Sequence, residues 1–316
     1  MTIVITGVGG LLGRELAIHA RALGHRVIGV ARRWDPTLTA LTDELVIEDL
    51  ASSGGSRANW RSLAGDAVVF HLAASTLIYS NSEGLHQDSI RATITACDIA
   101  RQTGNRMVFF SSSAVYSGHG TRYPVELLNE NSPSDPGTAY GQAKKTSEAI
   151  IVQSGIPAIV LRIFGVLSIK LLTLPFRGNL VQAIARSLST GAELKLGVDL
   201  QGKPTVRDYV LAGDACRLAL LSGDILARGK IASRETVTLN LCTGIPTSTC
   251  EMARNAQSIF GKKFPISLEP RKSEENQIMV GDTSNLNHVL GSIPRSQVDG
   301  FWQQAAATEL VPERQH

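Results

Sequence analysis

The sequence predicts an α/β protein built on a doubly wound parallel sheet, with a smaller C-terminal substrate-binding lobe. Short apolar runs, bounded by glycine or polar residues, alternate with longer segments of good helix formers. This is the pattern of buried parallel strands joined by helices. The first apolar run also leads directly into a glycine-rich turn and a helical segment. The sequence contains no internal repeats or low-complexity stretches.

The composition is that of a globular enzyme. Of the 316 residues, 43% are hydrophobic and 19% charged, so the chain can bury a large core. The net charge is +3 without a basic block, so neither nucleic acid nor a membrane is expected as a partner. No metal site is expected, because the spacing of the cysteines does not suit metal binding; they are Cys97, Cys216, Cys242 and Cys250. The N-terminus lacks a leader pattern and no apolar run is long enough to span a membrane, so a cytoplasmic location is expected.

The first strand and the turn after it predict a dinucleotide site. Thr2–Thr6 is β-branched and apolar, and residues 7–13 (GVGGLLG) lead from it into a helical segment. Glycines in such a turn permit a tight bend and close approach of the backbone to a pyrophosphate. A Rossmann-type site is therefore predicted, with cofactor contacts from Gly7, Gly10, Leu11, Leu12 and Gly13.

The end of the second strand, Arg26–Ala31, bears on the choice of cofactor. Sites that prefer NAD usually place an acidic residue here, whereas an arginine nearby suits the 2′-phosphate of NADP. Ala31 occupies the acidic position and Arg32 follows it, so NADP is favoured. NAD stays open as an alternative, because an exposed arginine pair can also serve solvation alone.

Further strands and helices alternate in the first half of the chain. Strands are expected at 45–50, 67–74 and 106–113, and helices at 58–63 and 88–102. His71, within the second of these strands, is interpreted as a core residue. The third strand ends in Ser111, Ser112 and Ser113. Ligands of parallel α/β sheets bind beyond the carboxyl ends of the strands, so this serine cluster lies where a ligand is expected.

Tyr140 and Lys144 are a candidate proton-transfer pair. Residues 138–154 favour a helix, which places the two side chains one turn apart on the same face. A phenol titrates near ~10 and needs a neighbouring cation to act as a base at neutral pH. Lys144 is placed to supply that cation. Because such pairs also occur on ordinary solvated helices, the interpretation depends on the glycine turn and the serine cluster.

With these three features in order, the chain resembles the extended short-chain dehydrogenase/reductases. Within them it is most similar to the nucleotide-sugar epimerase/dehydratase family, and in particular to UDP-sugar 4-epimerases. The resemblance spans essentially the whole chain. It is carried by TGVGGLLG (6–13), HLAA (71–74), SSSAVY (111–116), AYGQAKK (139–145), VLRIFGV (160–166), TVRDYVLAGDA (205–215) and DTSNLNHVLG (282–291).

The resemblance implies roles for the matching residues. Tyr140 would be the general acid/base, Lys144 would lower its pKa and hold the nicotinamide ribose, and Ser112 would hydrogen-bond the substrate oxygen. Ser113 is a weaker candidate for the serine and a candidate substrate contact. Further cofactor contacts are implied at Asp49, which matches a position that contacts the adenine, and at Leu50, Ala73 and Ala74.

The second half of the chain carries the residues that suggest a substrate. Asn179 and Leu180 match a pair that contacts the diphosphate of UDP-sugars, and Arg207 matches an arginine that reaches the same group. Arg271 begins an imperfect version of a phosphate- and nucleoside-binding pattern. Guanidinium groups suit phosphate oxygens. Each residue alone could be a surface charge, but together they imply a nucleotide-linked sugar, with UDP as the expected nucleotide.

The sequence also departs from the family at three places. Ser89 stands where the family usually has an asparagine, and an expected asparagine near Gly165 is missing. Ser113 and Ala114 replace the acidic pair that follows the catalytic serine or threonine in sugar 4,6-dehydratases. Dehydration is therefore not expected.

The implied activity is hydride transfer at a sugar carbon, with C4 of the hexose expected, by a 4-epimerase or a 4-keto-sugar reductase. Ala31 and Arg32 favour the reductase, whereas Asn179 and Arg207 favour the epimerase. Two other interpretations stay open. The chain could be an NADPH-dependent reductase or dehydrogenase of a non-nucleotide carbonyl substrate, or a non-catalytic dinucleotide sensor of the same fold.

Two domains are expected, although without a clean boundary. Residues 1–166 form the dinucleotide-binding domain and 167–316 mainly the substrate lobe, with a strand near 238–242 that returns to the main sheet. A homodimer is implied by the resemblance. Its interface is expected on the helices near 88–102 and 138–154, which have apolar positions to spare.

Overall fold

The computed structural model describes residues 1–52, 56, 58–63, 67–74, 83–116, 125–173, 179–199, 201–270, 278–291 and 298–308. The strands in these residues are β1 Thr2–Thr6, β2 Arg26–Ala31, β3 Glu44–Ile47, β4 Ala67–His71, β5 Met107–Ser112, β6 Ala158–Ile163, β7 Gly165–Leu167, β8 Leu194–Val198, β9 Val206–Arg207, β10 Tyr209–Leu211, β11 Thr236–Leu241, β12 Thr247–Ser248, β13 Ile266–Pro270 and β14 Ile278–Met279. The α-helices are α1 Leu11–Ala22, α2 Pro36–Thr39, α3 Glu83–Thr103, α4 Ala139–Ser154, α5 Leu180–Thr190, α6 Ala212–Ala227, α7 Thr249–Phe260, α8 Ser284–Leu290 and α9 Val298–Ala307. Short 3₁₀ turns lie at Trp60–Leu63, Ser113–Tyr116 and Ile169–Thr173.

Seven parallel strands form the central sheet, in the order β11-β6-β5-β4-β1-β2-β3. One apolar core lies between the sheet and helices α1 and α6, and a second lies between the sheet and helices α3 and α4. The predicted fold class, a doubly wound α/β sheet, is therefore confirmed. The strand order reverses at β1, which pairs with both β2 and β4. A crevice for ligands is expected beyond the carboxyl ends of these strands.

The chain beyond β6 forms three small sheets, which pair β10 with β7, β9 with β12 and β14, and β13 with β8. Helices α5, α7 and α9 enclose a third core around Leu188, Met252 and Trp302. β11 does not belong to this lobe, because it pairs in parallel with β6 at the edge of the central sheet. The sequence positions of the two units are thus interleaved, and the division at residue 166 stays a prediction.

Element ends differ from the predicted ones where polar side chains form turns. β3 ends at Ile47, before the predicted 50, and the Asp49 carboxylate accepts the Ala51 N–H at 3.0 Å in the turn that follows. β5 ends at Ser112, whose Oγ accepts the Ala114 N–H at 3.1 Å and so begins the next 3₁₀ turn. α3 begins at Glu83, five residues before the predicted start.

Several residues without a proposed chemical role lie in the core. His71 is fully buried, with its ring nitrogens 2.7 Å from Thr6 Oγ1 and 3.0 Å from Thr93 Oγ1. The four cysteines are buried free thiols. Within the described ranges, no helix combines the length and apolar character needed to cross a bilayer.

Candidate active site

The glycine turn after β1 makes contacts that exclude larger residues. Gly7 has a φ of +73°, and a Cβ there would lie 2.8 Å from the backbone nitrogen of Ala73. A Cβ on Gly13 would collide with the carbonyl oxygen of Gly7. The turn therefore lies directly against the end of β4, and α1 begins directly against the turn.

The N-terminus of α1 fits a pyrophosphate. Gly10 is its N-cap residue and no side chain caps it, so the first amides of Leu11 and Leu12 have no side-chain acceptor. Gly9 and Gly10 are exposed. Uncapped amides and the helix dipole together favour an anion at this point. The residues predicted to hold the cofactor phosphates thus form a turn of suitable shape and charge.

The carboxyl end of β2 is followed by two exposed arginines. Ala31 is buried, whereas Arg32 and Arg33 are exposed and form no hydrogen bond or ion pair within the described part of the chain. The next carboxylate along the chain, Asp35, forms an ion pair with Arg14. Arg14 also donates to Gly9 O at 3.1 Å, so this pair holds the loop after β2 against the glycine turn.

The three serines at the end of β5 have different environments. Ser111 is buried and donates to Glu148 of α4. Ser112 is half-buried, and its side chain is near enough to Tyr140 to lower the pKa of that phenol. Ser113 begins the 3₁₀ turn and makes no such contribution. The role of Ser112, the first choice from the sequence, as the partner of the tyrosine stays a prediction.

Tyr140 lies in the first turn of α4, beside the turn that follows β5. Thr138 caps this helix by accepting the Gly141 N–H at 3.1 Å. Gly141 permits the close approach, because a Cβ there would lie 2.5 Å from the Ala114 carbonyl oxygen. Burial raises the pKa of Tyr140, and the Ser112 side chain opposes that increase.

Lys144 is buried one turn further along α4. Its ammonium donates to the Phe110 carbonyl at 2.7 Å, and it lies 4.8 Å from the centre of the Phe109 ring and 5.9 Å from that of Tyr140. Burial lowers the pKa of Lys144 to about 8, and the Glu148 carboxylate opposes this shift. The ammonium of Lys144 is bonded to a strand carbonyl, and Ser112 is the group that opposes the increase in the pKa of Tyr140. That Lys144 also lowers this pKa stays a prediction.

A narrow pocket adjoins the pair. Ala73 and Ala74 line it, as the resemblance implied, together with Tyr140 and Lys144. Ser89 also lines it, so the residue that replaces the family's asparagine is at the site. The pocket and the glycine turn meet at Ala73, which lies against Gly7. The phosphate turn and the proton-transfer pair therefore belong to one cleft.

Asp49 and Leu50 follow β3 and differ in exposure. Asp49 is exposed, and its carboxylate forms the turn to Ala51. The Leu50 side chain is buried in the second core, and its carbonyl accepts the Thr95 hydroxyl at 2.8 Å. Asp49 is accessible to an adenine, whereas the Leu50 side chain supports the wall of the cleft from behind. Both cofactor roles stay predictions.

Asn179 and Leu180 lie at the start of α5. The Asn179 side chain accepts the Gln182 N–H at 2.8 Å and donates to the Gln182 side-chain oxygen at 2.9 Å, so it is the N-cap of the helix. Leu180 is half-buried against the third core. The structure gives Asn179 a capping role that the sequence analysis missed, although an asparagine before a helical segment is a recognisable signal. Contact with a diphosphate stays a prediction for both residues.

Arg207 lies at the same edge of the main sheet as Ser112. Ser112 of β5 is in register with Ile163 of β6, and two residues later the Gly165 N–H donates to the Asp208 carbonyl at 2.9 Å. Arg207, the residue before Asp208, is half-buried and donates to the Val206 carbonyl at 2.9 Å. The strand that carries Arg207 therefore passes beyond the carboxyl end of β6. Arg271 lies outside the described residues.

A buried carboxylate fixes the strand that carries Arg207. The carboxylate of Asp208 is fully buried and accepts hydrogen bonds from Thr243 and Gly244, which links β9 to the end of β11.

Gly165 cannot be an asparagine here, because a Cβ would lie 2.7 Å from Cδ1 of Tyr209. The departure from the family at this position thus has a steric reason.

A buried ionic network below the site was not predicted from the sequence. Glu148 of α4 forms an ion pair with Arg162 of β6, at 2.8 Å from NH2 to Oε2. NH1 of Arg162 donates to the Tyr116 hydroxyl at 2.8 Å, and that hydroxyl donates to Asn240 at 2.8 Å. The spacing of Glu148, one turn after Lys144, was the available signal. Its partner is distant in the sequence and could not be identified from it.

The fold and this cleft define an enzyme that uses a nicotinamide dinucleotide, of the extended short-chain dehydrogenase/reductase type. The chain belongs to the NAD dependent epimerase/dehydratase family, which matches residues 3–230.

Individual relatives extend the likeness to nearly the full chain. A UDP-glucose 4-epimerase of Rhizobium leguminosarum bv. trifolii is 20% identical over an alignment 324 residues long. The alignment covers 93% of this chain and 93% of the relative. The UDP-glucose-4-epimerase from Stenotrophomonas maltophila, solved with bound NAD and formylated UDP-arabinopyranose, has a TM-score of 0.80 at 22% identity and covers 98% of this chain and 99% of that chain. MoeE5 in complex with UDP-glucuronic acid and NAD has a TM-score of 0.79 at 21% identity, with the same coverage. At these identities the structural likeness shows the fold alone.

Proposed function

We propose that this protein transfers a hydride at a sugar carbon of a nucleotide-linked sugar, with C4 of the hexose as the expected carbon. The observation that carries the proposal is the Tyr140 ring, which lies 5.9 Å from the Lys144 ammonium one helical turn away and close to the Ser112 side chain. This constellation borders the pocket that adjoins the glycine turn. A nicotinamide dinucleotide, when bound, supplies the hydride acceptor and donor.

Each residue of the pair and the serine has a defined task in this proposal. Tyr140 takes the proton of the sugar hydroxyl during oxidation and returns it during reduction. Ser112 donates a hydrogen bond to the same sugar oxygen as its charge changes. Lys144 supplies a positive charge 5.9 Å from the phenol ring, which favours the phenolate whenever it forms.

The phenylalanine variant Tyr140→Phe tests this mechanism. It keeps the ring and removes the hydroxyl, so cofactor affinity should stay nearly unchanged. Acid–base groups contribute about 10²- to 10⁴-fold to rates, and turnover should fall by that order. Turnover close to wild type in the folded variant would reject the proposal.

A UDP-linked sugar is the proposed substrate. Arg207 lies beyond the carboxyl end of β6, where a guanidinium can meet a diphosphate. Asn179 and Arg271 are the other proposed contacts. The relatives named above are UDP-glucose 4-epimerases or were solved with UDP-sugars, which agrees with this substrate class. Saturation-transfer NMR with UDP-glucose and UDP tests the assignment, and Arg207→Ala should weaken both signals.

We favour a 4-epimerase, with a 4-keto-sugar reductase as the second candidate. The names of the relatives support the epimerase. Arg32 and Arg33, which have no acidic partner within the described ranges, support the reductase, because a reductase exchanges NADPH in each cycle. Denaturing the purified protein and identifying the released small molecules by chromatography separates the two. Stoichiometric dinucleotide indicates an epimerase, whereas an empty site that binds NADPH reversibly indicates a reductase.

NADP is the proposed cofactor, with NAD as the alternative. Arg32 and Arg33 have no acidic partner among the described residues, which suits a 2′-phosphate. Trp34 is 64% exposed while Trp60 and Trp302 are buried, so quenching of tryptophan fluorescence reports on this loop. Arg32→Ala should weaken NADPH binding by about tenfold or more and leave NADH binding unchanged. Arg228→Ala, at an exposed arginine after α6, is the matched control.

A homodimer through α3 and α4 is proposed by resemblance, but its expected apolar surface is small. The exposed large hydrophobic side chains on these helices are Ile94 and Val152 among the residues described. Around Ile94 lie the ion pairs that Arg91 and Arg101 make within α3. Such an interface would be largely polar, contrary to the sequence-based expectation. Light scattering of wild type and of Ile94→Asp/Val152→Asp tests it, and a wild-type monomer would reject it.

A further inference from the structure

We propose that Glu148, held by Arg162, is a positioning residue that keeps Lys144 protonated behind Tyr140. Glu148 contacts neither substrate nor cofactor in this assignment. It acts through Lys144, and the inference rests on the proposed function only for its effect on turnover.

The Glu148 carboxylate is held from two elements of the sheet. Arg162 of β6 donates to both of its oxygens, with Nε–Oε1 at 3.1 Å and NH2–Oε2 at 2.8 Å. Ser111 of β5 donates to Oε1. Both side chains of the ion pair are about one-tenth exposed, at 10% for Arg162 and 11% for Glu148. The carboxylate therefore has little freedom to turn away from α4.

The same carboxylate lies one helical turn after Lys144 on the inner face of α4. Lys144 is 6% exposed, and its ammonium donates to the Phe110 carbonyl at 2.7 Å. A buried ammonium loses its hydration and tends to lose its proton. Glu148 opposes that tendency, because its negative charge raises the pKa that burial lowers.

Among the residues that the structure describes, the other groups around Lys144 supply no negative charge. On α4, Tyr140 is a neutral phenol in the resting state. On β4, His71 is neutral, since burial and the Lys144 cation lower its pKa to about 3. On α3, Thr93 bonds to His71 and to Ser147 as a neutral hydroxyl. Arg162 forms an ion pair with the same carboxylate, so Glu148 interacts with two positive charges.

The arrangement implies that the two cations compete for one carboxylate. Removing the charge of Glu148 leaves Lys144 uncompensated, so it should lose its proton at lower pH. Removing Arg162 leaves the carboxylate to Lys144 alone, so Lys144 should hold its proton to higher pH. A purely structural ion pair would not shift the lysine in opposite directions.

The test is to titrate Lys144 in the full-length protein, by NMR of ¹³C- and ¹⁵N-labelled lysine assigned with Lys144→Met. In Glu148→Gln the midpoint should fall by about one pH unit or more, as expected for loss of a charge one turn away. Glu148→Asp, which keeps the charge, should restore most of the shift. Glu251→Gln is the matched control, because it makes the same substitution at an exposed carboxylate of another helix, α7, and should leave the midpoint unchanged.

An unchanged midpoint in folded Glu148→Gln would overturn the proposal. If that variant does not fold, Arg162→Gln provides the second arm, and a midpoint that fails to rise would overturn it equally. Turnover measured against pH separates the inference from the proposed function. If the lysine midpoint moves and the alkaline limb of turnover moves with it, both are supported. If the titration midpoint of Lys144 moves but the alkaline limb of the turnover profile does not, the effect of Glu148 on Lys144 is supported. The catalytic role of Lys144 is then rejected.

Discussion

Gly141 follows Tyr140 in α4 and allows the helix to lie against the turn that follows Ser112. A Cβ at Gly141 would lie 2.5 Å from the Ala114 carbonyl oxygen and 2.7 Å from Cβ of Pro136. Ordinary contact begins near 3.4 Å, so Gly141→Ala must widen the contact by about 0.9 Å. The backbone itself tolerates alanine, because Gly141 is not among the glycines with positive φ.

The displacement acts on the pair that performs the proposed proton transfer. Because Ala114 follows Ser112 by two residues, moving α4 away increases the distance between Ser112 and Tyr140. A misplacement of about 1 Å can lower turnover about 100-fold, so we expect Gly141→Ala to lower it by about 10- to 100-fold. The free energy of unfolding should fall by about 2 kcal/mol at most, since overpacking costs about 1–3 kcal/mol and alanine favours the helix by about 1 kcal/mol.

Two measurements are made on the wild type and on Gly141→Ala. One is turnover with UDP-glucose, or with the sugar nucleotide that the denatured protein releases, and the other is unfolding in urea. Gly300→Ala is the control, because an added Cβ there meets no atom within 4 Å in α9. It should gain about 1 kcal/mol of stability and keep wild-type turnover. If Gly141→Ala folds and turns over within about twofold of wild type, the contact does not position the pair and the reasoning is refuted.

Three further predictions follow from single contacts. Asn179→Ala removes the N-cap of α5 and should lower the free energy of unfolding by about 1 kcal/mol. Asn179→Asp, which can still cap the helix, should restore the stability. A KM that stays raised in Asn179→Asp would show a separate role in binding the substrate. In the wild type the Asp208 carboxylate accepts hydrogen bonds from the backbone N–H groups of Thr243 and Gly244, and Asp208→Asn places an amide there instead. The free energy of unfolding in urea should fall by about 2–4 kcal/mol. A fall below about 1 kcal/mol would contradict the view that this buried carboxylate holds the two segments together. Burial lowers the pKa of Lys144 from 10.5 to about 8. Between these two pH values the unfolded chain binds more protons than the folded one, so Lys144 makes the free energy of unfolding rise with pH, by up to about 3 kcal/mol. Urea unfolding of the wild type below about pH 8 and above about pH 10 should show this increase. The variant Lys144→Met should lack it.

Local pattern was sufficient for the fold class and for the position of the candidate site along the chain. The glycine turn at 7–13 has the sequence of a tight bend, and β1 and β2 have the predicted ends at Thr2–Thr6 and Arg26–Ala31. The helical spacing of Tyr140 and Lys144 follows from the periodicity of α4. These features depend on neighbours a few residues apart, and such neighbours can be identified in a sequence without alignment.

The electrostatics of the site depended on contacts between distant segments. Whether a lysine lowers the pKa of a tyrosine depends on burial and on where its ammonium points, and Lys144 is bonded to the Phe110 carbonyl, 34 positions away. Arg162 lies 14 residues beyond Glu148, on a strand that only the sheet brings beneath the helix. The sequence by itself therefore determined the fold class and the helical spacing of the candidate proton-transfer pair. Only the tertiary structure decided which charges face that pair, because desolvation and long-range pairing arise when the helices close onto the sheet.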